Sequence, residues 1–221
     1  MSDFRLDDTR CLEVVVVRHG LTSWNRERRY QGQRDIPLLL PEALPDLDRL
    51  REALADSVFD AVHASDLTRC RQTLAHIRDG SAWAAHPETP RFDRRLRELD
   101  FGDYEGRTWE ALKDDPDYRA WVDSRGMRAT PGGESAHDLW ARLSAWLDEV
   151  LAEARMHGHR RVLAVSHGGA IRELSRRLEG ADFWAGVVGQ AQGRRFVFTH
   201  GEEGWQCSCS SAVPAPASAT S

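Results

Sequence analysis

A chain of 221 residues has room for one sizeable core or at most two small ones. Its 41% apolar and 29% charged content is that of an ordinary soluble globular protein, and a net charge of −5 gives no general pull toward nucleic acid, so a phosphate group would have to be held by locally gathered arginines. No apolar run approaches the ~20 residues of a membrane span, and the scattered Cys11, Cys70, Cys207 and Cys209 do not form a disulfide framework.

Residues 1–10 read as a polar leader. It is charged and lacks an apolar signal core, so the expectation is no export and a reducing cytoplasm. The strongest strand signal follows, Leu12 to Val17 with four consecutive valines, and it lacks polar alternation, as expected of a parallel strand covered on both faces. Arg18, His19 and Gly20 end it abruptly. In open α/β sheets ligands bind beyond the carboxyl ends of strands, so an arginine and a histidine there read as an anion site with a nucleophile or base in it. Pro37, Pro41 and Pro45 punctuate a loop before an amphipathic helix over 46–54.

A second strand, Phe59 to Ala64, leads into a helix for which Ser65 or Asp66 is a fitting N-cap, with Leu67, Cys70, Leu74 and Ile77 on one face. Cys70 reads as core. Arg69 lies off that face near the strand ends, where it is either a solvated arginine or an anion ligand. Gly102 and Gly106 mark a loop after Glu98, whose position between leucines suits a proton donor if the segment is buried, since desolvation favours the neutral carboxyl. The bland alternative is a surface glutamate paired with Arg95 or Arg97. Residues 108–123 read as a helix broken near Pro116, an insert of the kind that lies over a pocket. A turn over 131–135 precedes a long helix opened by a Ser135–Asp138 capping box, with Leu139, Leu143, Trp146, Leu147, Val150, Leu151 and Ala154 in one core stripe. A third buried strand, Arg161 to Ser166, ends in His167-Gly168-Gly169, where exposed amides at a helix start would suit an anion. Arg194 to His200 is expected to be a last edge strand. Residues 202–221, rich in Ser, Ala and Pro, read as a disordered tail, in which Cys207 and Cys209 offer too few ligands for structural zinc.

Four of these stretches resemble, in order, the motifs of the histidine phosphatase superfamily, in its phosphoglycerate-mutase-like branch. Arg18, His19, Gly20, Thr22 and Asn25 match its Arg-His-Gly-x-Thr-x-x-Asn opening, followed by Gln31-Gly32 and Asp35-Ile36-Pro37-Leu38. Ser65, Leu67, Arg69, Gln72 and Thr73 match its second motif. Leu96, Glu98, Gly102, Glu105 and Gly106 match the third, and Ser166 to Gly169 the fourth. The loop after Leu38 departs from the family's usual Thr-x-x-Gly.

The resemblance implies a three-layer α/β/α fold with a mostly parallel central sheet and a helical insert over the active site, in one domain over 11–201. It assigns His19 as nucleophile, Glu98 as proton donor and His167 as the second catalytic histidine. Arg18 and Arg69, with Asn25, Gln31, Gly32 and Gly168, would hold the substrate phosphate, Glu105 being structural. No metal and no cofactor are implied. The partner is a small phosphomonoester, neither nucleic acid nor membrane, and a homodimer is left open. Hydrolysis is favoured over mutase chemistry because the mutases carry a longer insert with adjacent arginines, whereas Trp121 to Ser135 holds only the separated Arg125 and Arg128; its ending looks like that of α-ribazole or broad-specificity phosphatases. A non-catalytic binding member is the third alternative. Such members usually lack a catalytic residue, and every one is present here.

Overall fold

The valine run forms the central strand. β1 (Cys11–Arg18) turns Val14 and Val16 to one face and Val15 and Val17 to the other, and all four are almost fully buried. A fully buried valine stabilises the fold by roughly 1.5 kcal/mol or more, which is why this strand tolerates no polar alternation. A computed structural model describes residues 11–85, 89–181 and 187–215. The leader over 1–10 and the chain end over 216–221 lie outside the described residues.

In chain order the further elements are α1 (Ser23–Arg26), α2 (Leu44–Leu54), β2 (Ala61–Ala64), α3 (Thr68–Arg78), β3 (Arg91–Phe92), α4 (Trp109–Leu112), α5 (Pro116–Asp123), α6 (Ala136–His157), β4 (Arg161–Ser166), α7 (Gly168–Glu179), β5 (Gly193–Gly201) and β6 (Gly204–Val213). They build a six-stranded sheet in the order β3-β2-β4-β1-β5-β6. The strands from β3 through β1 pair in parallel, and β5 and β6 are antiparallel additions. Leu47, Leu50 and Leu54 of α2, with Cys70, Leu74 and Ile77 of α3, cover the face of Val15 and Val17. The stripe of α6 and the apolar face of α7 cover that of Val14 and Val16, together with Tyr118 and Trp121 of α5. The expected three-layer fold is therefore present.

Register positions the site. Arg18 of β1 pairs with Ser166 of β4, so the residues that follow, His19 and His167, emerge side by side, and the His19 amide donates to the Ser166 carbonyl at 3.0 Å.

Three local expectations are corrected. The N-cap of α3 is Leu67, with no side-chain cap of its own; Asp35 from the proline loop takes that role, accepting from the Thr68 amide and hydroxyl at 2.7 Å each. Ser65 is fully buried at the strand end and Asp66 is turned to Arg97. The edge strand is β6, not β5. Residues 204–213 of the expected disordered tail are this strand, paired with β5 around a turn closed by Gly204 at φ +95°. Serine-rich composition concealed it, but Trp205 and Cys207 alternate onto the core face and Val213 is buried. The insert breaks at Pro116 as expected, with Asp115 capping α5, and the Ser135–Asp138 capping box is formed. Among the described residues no helix is long and apolar enough to cross a membrane.

Candidate active site

His19 leaves the end of β1 and is only 3% exposed. Its Nδ1 lies 2.7 Å from the carbonyl of Gly20, an acceptor only, so Nδ1 carries the proton and Nε2 keeps its lone pair. Burial, then the nearby charges of Arg69 and Arg18, hold its pKa well below the ordinary 6.5. The ring is thus neutral and in one tautomer at neutral pH. The Gly20 amide donates to the Thr73 hydroxyl at 3.0 Å, which itself donates to the Arg69 carbonyl at 2.8 Å, tying the strand end to α3.

His167 is fully buried, its ring centroid 5.2 Å from that of His19. Arg69 approaches its Nδ1 through Nε at 3.3 Å and Nη2 at 3.0 Å, so Nδ1 is an acceptor and the proton sits on Nε2, 3.5 Å from the Cys70 sulfur. Burial and the same arginine push the pKa of His167 well down. Cys70 is core as expected, and burial raises its thiol to about 12.

The two arginines differ. Arg69 is fully buried and braces the site: Nη1 donates to the carbonyl of Arg34 at 2.9 Å and Nη2 to that of Gly32 at 2.7 Å. With the bonds to His167, most of its five donors are spent on protein, so its charge more than an open fork faces the pocket. Arg18 donates through Nη1 to the Val188 carbonyl at 2.7 Å, and its buried Nε has no partner among the described residues. Burial lowers the pKa of both groups, yet a guanidinium stays charged.

Gln31 accepts the Thr22 hydroxyl through Oε1 at 2.6 Å, and its buried Nε2 likewise finds no partner among the described residues. Asn25 spends its oxygen on the Thr22 amide in the capping box of α1, so its NH₂ is the end available to an anion. Buried N–H donors without acceptors are costly, so the unpaired Nε of Arg18 and Nε2 of Gln31 are donors that an oxyanion could satisfy.

Glu98, 7% exposed, pairs with neither Arg95 nor Arg97, which are taken by Asp93 and Glu149 and by Asp66. Its carboxylate accepts from the amides of Leu99 at 2.9 Å and Gly169 at 2.8 Å. The anion held at the start of α7 is therefore Glu98 itself. A β-carbon on Gly169 would meet Glu98 Oε1, so any side chain there would have to displace the Glu98 carboxylate, while Gly168 packs against the Arg18 guanidinium. Gly32 permits a similar approach, its missing β-carbon lying 2.5 Å from the Leu99 carbonyl. Glu105 is structural, accepting from the amides of Gln33 and Arg34.

One contributor had no signal in the sequence. Arg142 of α6 donates to the carbonyls of Arg95, Arg97 and Glu98 at 2.8, 2.5 and 2.7 Å and forms a paired bond with Glu134. It clamps the segment that presents Glu98. Among the described residues no group of three or more His, Cys, Asp or Glu side chains is gathered as a metal site.

Fold and site define an α/β protein in which two buried histidines, His19 and His167, and two arginines, Arg18 and Arg69, meet at the strand ends. The chain belongs to the histidine phosphatase superfamily (branch 1), whose family model matches residues 14–211. It is 36% identical over 180 residues to "Phosphoglycerate mutase-like protein 4" of Arabidopsis thaliana, covering 80% of this chain and 75% of that one. Among solved structures it is similar to TTHB049 of Thermus thermophilus (TM-score 0.65, 32% identity, 84% of this chain and 93% of that one). It also shares the fold of the alpha-ribazole phosphatase of Shigella flexneri (TM-score 0.72, 22% identity, 89% and 94% covered).

Proposed function

We propose that the chain is a metal-independent phosphomonoester hydrolase that works through a phosphohistidine on His19. The observation that carries this reading is the fixed tautomer of His19: its Nδ1–H is bonded to Gly20, and burial beside two guanidiniums keeps the ring unprotonated. Nε2 attacks phosphorus, and Arg18, Arg69, Asn25, Gln31 and the amide of Gly168 face the phosphoryl oxygens, whose charge they offset as it shifts in the transition state. Glu98 gives its proton to the departing oxygen, and as carboxylate then takes one from the water that cleaves the phosphoenzyme.

Hydrolysis is favoured over transfer to a second hydroxyl by the insert. Arg125 and Arg128 are not adjacent, and both side chains are exposed. Brief incubation with a ³²P-labelled phosphomonoester should leave acid-labile, base-stable label on His19 and release inorganic phosphate at an undiminished rate after exhaustive chelation. Label on another residue, or activity restored only by added metal, overturns the reading. Isomerisation of 3-phosphoglycerate in the presence of 2,3-bisphosphoglycerate, faster than hydrolysis, would make the chain a mutase instead.

A further inference from the structure

Directly behind the two histidines sits a buried nucleophilic group that no catalytic step described above uses. Cys70 follows Arg69 on α3, and the helix gives the two side chains different surroundings. Arg69 reaches His167 and the loop carbonyls, whereas Cys70 is fully buried in the core that contains Leu74, Ile77, Val15 and Val17. Burial lifts its thiol to about 12, so the sulfur keeps its proton at neutral pH. A neutral thiol is a weak donor and a weak acceptor at once. The sulfur lies 3.5 Å from the Ser166 carbonyl oxygen and 3.5 Å from His167 Nε2. The carbonyl can only accept, so the S–H points to it and a sulfur lone pair is left facing Nε2.

The proton count at His167 gives this contact its meaning. Arg69 offers only donors to Nδ1, through Nε at 3.3 Å and Nη2 at 3.0 Å, so Nδ1 holds a lone pair and Nε2 the proton. That N–H is out of reach of water, His167 being fully buried, and among the described residues its hydrogen-bond partner is Cys70. A buried donor left without an acceptor is costly. Without the sulfur, the ring would gain by tilting Nε2–H toward another acceptor, and Nδ1 would then move off Arg69.

The surroundings tie this bond to the rest of the site. The Ser166 carbonyl that takes the S–H also accepts the His19 amide at 3.0 Å. Thr73, on the next turn of α3, accepts the Gly20 amide at 3.0 Å. The helix thus holds both histidine-bearing strand ends from behind, through Thr73 after β1 and through Cys70 after β4. A hydroxyl in place of the thiol could accept the same N–H, whereas an alkyl group of similar volume would fill the space and accept nothing.

We propose that Cys70 is a positioning residue of the active site, whose sulfur accepts the Nε2–H of His167 and so holds that ring, and through it the Arg69 guanidinium, in place. The kinetic part of the inference rests on the hydrolase reading; the structural part does not. Nitrogen NMR of the ¹⁵N-histidine-labelled full chain tests the second directly. The His167 ring should show a protonated Nε2 and an unprotonated Nδ1 at neutral pH, with a slowly exchanging Nε2–H. An unprotonated Nε2 in the unmutated protein overturns the proposal. Cys70→Ala should make the Nε2–H exchange about tenfold faster or more, and should lower kcat on 4-nitrophenyl phosphate about tenfold with KM little changed, the pattern of a displaced group rather than a lost binding contact. Cys70→Ser should recover most of both, and Cys70→Val neither, all three being compared as folded protein with a cooperative thermal transition. Full kcat in Cys70→Ala, or recovery in Cys70→Val but not in Cys70→Ser, would make Cys70 a packing residue only and overturn the proposal while the hydrolase reading stands. Release of no phosphate by the unmutated protein overturns the hydrolase reading instead, and the exchange rates of the three variants then decide alone whether the sulfur holds the ring.

Discussion

At the scale of the residue, the chemistry rests on groups whose surroundings leave them one available state. His19 cannot rotate its proton onto Nε2 without giving up the Gly20 carbonyl, and it cannot accept a second proton cheaply beside Arg18 and Arg69. Glu98 is held by two amides, so its carboxyl has a fixed direction toward the pocket. If it is the general acid, its benefit must scale with the leaving group's need for a proton. Glu98→Gln preserves the side-chain shape and an oxygen for the Gly169 amide but removes the transferable proton. In single-turnover formation of the phosphohistidine, an alkyl phosphate should then lose a factor of about 10²–10⁴, while 4-nitrophenyl phosphate, with its weakly basic leaving group, should lose far less. Equal losses would demote Glu98 to a phosphate-orienting residue, and the proton donor would have to be another group than Glu98 or the structurally engaged Glu105.

At the scale of the element, α6 does more than cover the sheet. Its Arg142 reaches across to three carbonyls of the segment over 95–98 and is locked by Glu134, so the direction of Glu98 is set from a helix packed on the core. Arg142→Lys keeps the charge but loses the planar fork. The expected result is a kcat on alkyl phosphates about tenfold lower with KM little changed, on the principle that a small misplacement of a catalytic group costs rate rather than affinity. A matching loss on 4-nitrophenyl phosphate in the single-turnover step would show that the clamp serves the phosphate pocket and not the proton donor. Nothing in the local sequence marks Arg142, because it acts on backbone carbonyls that become neighbours only when α6 packs. The same holds for the Gly169 amide, which the helix start offers to a phosphate but which Glu98 claims. What is legible in the sequence is local. The buried valines, the helix stripes, the break at Pro116 and the Ser135 capping box follow from periodicity and turn chemistry. Only the order of the four motifs separates His19, Arg69 and Glu98 from equally plausible solvated alternatives. β6 escapes a reading by composition because its serines look like a tail until Trp205 and Cys207 find a sheet face.

At the scale of the whole molecule, three buried histidines, His19, His63 and His167, all have folded pKa values below the ordinary 6.5, chiefly through burial. His63 adds a bond of its own, accepting the Trp146 indole N–H at Nδ1 over 3.2 Å, which protonation there would break. The unfolded chain takes up these protons near pH 6.5 and the native chain does not. Between the two sets of pKa values the unfolded state therefore binds more protons, and stability rises with pH. The contribution is present above about pH 6.5 and is lost as pH falls below it, by up to about 1 kcal/mol per histidine between pH 6.5 and 5.5. Asp66 and Asp138, held below the usual carboxylate range by Arg97 and by Ser135, act in the same direction but in a separate window, below about pH 4. Denaturant titrations at pH 7.5, 6.5 and 5.5 should thus show a loss of only about 1 kcal/mol across the first interval and of about 2–3 kcal/mol across the second. His63→Gln should flatten the second interval by about one third, while leaving the phosphohistidine-forming step, which depends on His19, with the same pH profile. A native state as stable at pH 5.5 as at pH 7.5 would mean that the folded protein accepts these protons, and would remove the ground for treating His19 as neutral in the active site.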